Sequence, residues 1–157
     1  MRYVALIRGV GPGNPNMKGE KLAGAFEALG LKNARPVIAS GNVVFDSSSK
    51  DIAALEKKIE GGLEKQLKFT RAVIVRSEEE LKKLVKKDPF KGVKDEKPNY
   101  LIVTFFKQPR KELCTVIDMN TTKGPEMMQK LDKTHGKDIT TRTWKTVHRI
   151  LTKMETT

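Results

Sequence analysis

The sequence holds one cysteine in 157 residues, Cys114, so no disulfide can close within the chain. With only two histidines beside it, a tetrahedral zinc site would have to recruit carboxylates, and neither a metal nor any other cofactor is expected. Aromatic residues make up 6% of the chain. No apolar run approaches the roughly 20 residues that span a bilayer, which leaves no expectation of a membrane partner. The opening stretch from Met1 to Arg8 passes straight into a strand pattern, so no secretory leader is expected and the default compartment is the cytoplasm.

Positive charge is what the chain has in excess. Thirty-one Lys and Arg face nineteen Asp and Glu, a formal net charge of +12. The excess is spread, with thirteen against seven over residues 1–76 and eighteen against twelve over 77–157. A field of that sign concentrates anionic small molecules or nucleic acid. At 38% hydrophobic and 32% charged the composition supports a packed core rather than a disordered chain.

Apolar periodicity organises the chain. Residues 2–8 read as a buried strand, and a turn-rich stretch from Gly9 to Asn16 follows. A helix from about Lys18 carries Leu22, Ala25, Phe26 and Leu29 on one face, with Gly30 at the left-handed position beyond its end. Strands near 35–39 and 43–46 flank Ser40-Gly41-Asn42, a turn in which Gly tolerates positive φ. The serines at 47–49 offer caps to a second helix striped by Ile52, Leu55, Ile59 and Leu63, and residues 71–76 form a fourth strand. Strand, helix, strand, strand, helix, strand is the ferredoxin-like pattern, so residues 1–77 are expected to form a ferredoxin-like α+β unit and 78–157 a smaller α+β unit. In the second unit Ser77 and Glu80 make a capping box, 100–106 is a buried strand, 113–119 another, 124–136 a short helix, and 141–154 a basic amphipathic helix.

Two stretches could hold an anion. In the first, Gly9, Gly11 and Gly13 allow backbone N–H groups to approach a ligand, with Arg8, Asn14 and Lys18 beside them; the Walker and dinucleotide patterns are absent. In the second, Thr140 or Thr141 caps the last helix, Arg142 sits at its start, and Arg142, Lys145, Arg149 and Lys153 line one face while Trp144, Val147, Leu151 and Met154 line another. Ser40, Gly41 and Asn42 are a third candidate, although a tight turn needs the same residue types. If strands 1 and 3 run parallel, the glycine-rich loop and this turn lie at opposite ends of the sheet. Cys114 lies in an apolar run and reads as an inert thiol. Glu56, Glu60 and Glu64 read as a solvated face.

Three stretches together resemble the largely bacterial Domain of Unknown Function 1697 family: Tyr3 to Val10, Ser40 to Phe45, and Thr140 to Val147. The resemblance implies a two-unit α+β fold of ferredoxin-like type and no assigned activity. It also marks departures. The family commonly has an Ile-Asn-Val-Gly-Gly type of loop where this chain has Val10 to Asn14, and Asn where Thr143 and Lys145 stand.

Three functions fit these features: a binding module for an anionic ligand or nucleic-acid backbone, an enzyme acting on a small phosphorylated or carboxylated substrate, and an assembly protein with an acidic partner. No base stands beside any candidate hydroxyl, which argues against nucleophilic catalysis. The ferredoxin-like RNA binders display aromatics on two central strands, and this chain offers only Tyr3 and Phe45 there. Binding is the favoured expectation.

Overall fold

The computed structural model describes residues 1–8, 19–37, 41–68, 72–96, 99–107, 111–118, 130, 133–134 and 139–156. Its elements are β1 (Arg2–Ile7), α1 (Gly19–Ala28), β2 (Lys32–Pro36), β3 (Asn42–Asp46), α2 (Ile52–Leu67), β4 (Val73–Ser77), α3 (Glu78–Lys86), β5 (Asn99–Phe106), β6 (Glu112–Asp118), β7 (Ile139–Thr143) and α4 (Trp144–Glu155). They build an α+β protein with two antiparallel sheets, ordered β2-β3-β1-β4 and β6-β5-β7.

The first sheet is apolar on both faces because both are covered. Tyr3, Ala5, Ile7, Val43, Phe45, Val73 and Val75 turn toward α1 and α2, meeting Leu22, Phe26, Leu55, Ile59 and Leu63. The alternate residues Val4, Leu6, Val44 and Ile74 pack on α3 and α4, whose far side is closed by Leu101, Val103 and Phe105 of β5. The layers therefore run helices, sheet, helices, sheet. Tyr3 and Phe45 are buried against α2's side, so neither central strand offers an open aromatic platform to RNA bases.

Several local expectations hold. Gly30 and Gly41 have φ of +84° and +78°. Ser77 Oγ accepts from Glu80 N while Glu80 Oε1 accepts from Ser77 N, completing the capping box. Others are corrected. Asp51, not a serine, caps α2 by accepting from Ala54 N. The segment read as the start of the last helix is instead β7, whose β-branched Thr140, Thr141 and Thr143 pair with β5 from Phe105 to Ile102, and the helix begins only at Trp144. The helix expected over 124–136 lies outside the described residues, apart from Lys130, Lys133 and Thr134.

Glu56 and Glu60 do not form a solvated face. β4 is an edge strand, and its outward N–H groups need acceptors. Glu56 Oε2 takes Val75 N at 2.9 Å and Glu60 Oε2 takes Val73 N at 3.2 Å. Glu60 also binds Lys107 Nζ at 2.9 Å; Glu64 alone of the three is exposed.

Two helix glycines stand where nothing is gained by them. Gly24 in α1 and Gly61 in α2 are exposed, and a Cβ at either meets no atom within 4 Å. Replacing each by Ala is expected to add about 0.8 kcal/mol by limiting the unfolded backbone. The double variant should melt several degrees higher in a calorimetric scan. Gly62 is the control: a Cβ there runs into the Leu29 side chain, so Gly62→Val should lower the melting temperature.

Candidate functional site

β1 and β3 pair antiparallel, with Leu6 opposite Asn42 and Ile7 N donating to Gly41 O at 2.8 Å. This overturns the parallel arrangement assumed from sequence. The end of β1 and the start of β3 share one end of the sheet, and β7 arrives at the same place. Arg142 joins all three. Its Nε donates to Asn42 Oδ1 at 2.6 Å, Nη1 to Thr140 Oγ1 at 2.7 Å and Thr141 O at 2.9 Å, and Nη2 to Ile7 O at 3.1 Å and Gly41 O at 3.4 Å. Arg8 reaches the opposite way, Nη1 to Ile139 O at 2.8 Å. The three stretches that carry the family resemblance thus meet around one guanidinium.

Arg142 is 9% exposed and lies on a strand rather than on the basic face of the last helix, and its guanidinium has five N–H groups, each spent on a neutral oxygen. Burial pushes its pKa down to about 10, so it stays charged at neutral pH. No N–H of Arg142 is left for a ligand. Thr140 and Thr141 serve the same junction: Thr140 accepts from Arg142, and Thr141 Oγ1 lies 3.2 Å from Thr104 Oγ1. Neither caps the last helix; Thr143 does, accepting from Thr146 N at 3.2 Å. Asn fills that capping role as well as Thr, so the departure from the family at Thr143 keeps the helix start intact. Gly9, Gly11, Gly13, Asn14, Lys18 and Ser40 lie outside the described residues.

The basic face of α4 is therefore shorter than the sequence suggests. Trp144 is buried, packed edgewise on Phe90 with ring centroids 5.1 Å apart. Lys145 is exposed but lines a small cleft with Asp95 and Glu96. Arg149 and Lys153, also exposed, line a different cavity of about 410 Å³ between α4 and the end of β2, with Pro36, Val37, His148 and Thr152. Among the described residues, no acidic one lines it. His148 is the residue that sequence reasoning passed over. It is exposed at the groove, with its ring centroid 4.7 Å from that of the Trp144 indole.

Cys114 is partly buried and packs at the edge of the core. Desolvation, with help from Glu112, pushes its thiol pKa up, the opposite of an activated nucleophile. No helix among the described residues is long and apolar enough to cross a membrane.

No curated protein matches the chain. Among solved structures it resembles a conserved bacterial protein from Streptococcus pneumoniae, with a TM-score of 0.69 at 19% identity over 98% of each chain. That likeness is one of fold. Residues 1–134 match the family described as "Protein of unknown function (DUF1697)", which covers two of the three signature stretches together with the four-stranded sheet they help to build, and the chain belongs to that family.

Proposed function

We propose that the protein binds polyanions, with nucleic-acid phosphate as the ligand class, along the groove between α4 and the end of β2. The observation that carries this reading is the groove's charge: Arg149 and Lys153 are exposed there with no acid among the described lining residues, on a protein of net charge +12. Residues at i and i+4 on a helix present their side chains on one face, a spacing suited to following a phosphate backbone without reading sequence. The same reading keeps the protein in the cytoplasm and treats residues 1–77 as a ferredoxin-like unit with 78–157 as a second unit. The β2-β3-β1-β4 order, with both crossover helices on one face, supports that division.

A fluorescence-anisotropy titration of DNA and RNA at several salt concentrations tests the proposal. Affinity is expected to fall linearly with log salt. Arg149→Glu and Lys153→Glu should each weaken binding to all sequences alike and reduce the slope by about 1. Absence of binding in low salt would make the charge a solubility feature and sink the reading.

A further inference from the structure

Resting on that reading, we infer that the groove takes single-stranded rather than duplex nucleic acid, stacking an unpaired base on His148 with the flanking phosphates on Arg149 and Lys153. A groove that served phosphates alone would need only cations. The lining of this one also includes two apolar residues, Pro36 and Val37, and the ring of His148. His148 is exposed, and it is backed by a rigid aromatic series: imidazole to Trp144 at 4.7 Å with planes 85° apart, then Trp144 to Phe90 at 5.1 Å.

Near-perpendicular packing leaves at least one face of the imidazole uncovered by the indole. Trp144 is itself anchored in the core with Val147 and Ile150, so the imidazole is held in place before a ligand arrives, and little ordering cost remains on binding. A paired base offers its face only to its stacking neighbours, so a duplex has no free base face to set against this ring; an unpaired base does. Arg149 follows His148 directly and Lys153 lies one turn further on. The arrangement combines an aromatic platform with flanking cations, the elements of sequence-tolerant single-strand binding.

The test compares a fluorescent single-stranded oligonucleotide of about 12 nucleotides, within the site sizes such grooves cover, with the corresponding duplex, using the full chain. The single strand is expected to bind more tightly. His148→Ala should weaken single-strand binding roughly 5- to 100-fold with the salt slope unchanged, and His148→Phe should restore it, while circular dichroism shows all variants folded. Duplex binding as tight as single-strand binding, or His148→Ala without effect, would overturn the inference and leave the polyanion reading standing. Polyglutamate displacing the strand at equal charge would overturn the choice of nucleic acid. Loss of all binding at low salt would remove the reading beneath it.

Discussion

Arg142→Glu is expected to leave little folded protein at room temperature. The substitution removes five hydrogen bonds at once and places a carboxylate among the oxygens of Asn42, Thr140, Thr141, Ile7 and Gly41. Each buried acceptor left unpaired costs about 1–3 kcal/mol, and a carboxylate buried there without a donor adds its own desolvation cost. A domain of this size has only about 5–15 kcal/mol in total. Arg142→Met, which brings no opposing charge, should be folded but about 3 kcal/mol less stable. Urea titration followed by the fluorescence of Trp144, the one tryptophan, reads both. An unchanged midpoint for Arg142→Met would show that the junction holds without the guanidinium, and would return Arg142 to the list of ligand groups.

The second large effect is expected at β4, an edge strand of the first sheet, where Arg76 hydrogen-bonds across to the second. Its side chain is fully buried. Nε meets Glu112 Oε1 at 2.8 Å, Nη2 meets Phe106 O at 2.8 Å and Lys111 O at 3.2 Å, and the guanidinium lies 5.6 Å from the Phe105 ring centre. Arg76→Ala should cost about 3–5 kcal/mol, since it opens a cavity and strands carbonyls at the start of β6 and the end of β5. Glu112→Gln should cost only about 1 kcal/mol, because the amide oxygen still accepts from Nε and the carboxylate is a quarter exposed. If Arg76 is what docks the second sheet, Arg76→Ala should also lower the urea m-value, as part of the surface opens before the main transition. A shift of the midpoint alone, at constant m, would mean that the apolar interface holds the sheets without it.

What the sequence disclosed follows the physics of each signal. The buried strands and α2 were legible because their apolar periods are strong, and the capping box of Ser77 and Glu80 because both residues act on neighbouring backbone. β7 was not. Thr140 to Thr143 is polar and short, its threonines suit a helix cap as readily as a strand, and only pairing with β5 decides between them. The placement of Arg142 in the interior was equally hidden. A cation in helical register with Lys145 and Arg149 carries no mark of burial until its acceptors, from residues 7, 41 and 42, are brought to it by the fold. Glu56 and Glu60 have the i, i+4 spacing of a solvated ion-pair face. Their role in satisfying the edge of β4 depends on where α2 is laid. For the candidate site, Arg149 and Lys153 were visible as charge, but the groove that separates them from Lys145 is made by β2, which lies far away in the chain.

The contacts around β1 also bear on how the chain is made. Arg2 Nη1 donates to Met154 O, Arg8 to Ile139 O, and Arg142 back to Ile7 O, across 152, 131 and 135 residues. During synthesis from the N-terminus, the face of the first sheet formed by Val4, Leu6, Val44 and Ile74 stays uncovered by α4 until residues 144–155 have left the ribosome. Contacts of such long sequence separation close late and slow folding, and an exposed apolar face during that interval invites association with other nascent chains. The protein therefore completes its core only once α4 has emerged, and until then that one face is the apolar surface the nascent chain leaves open.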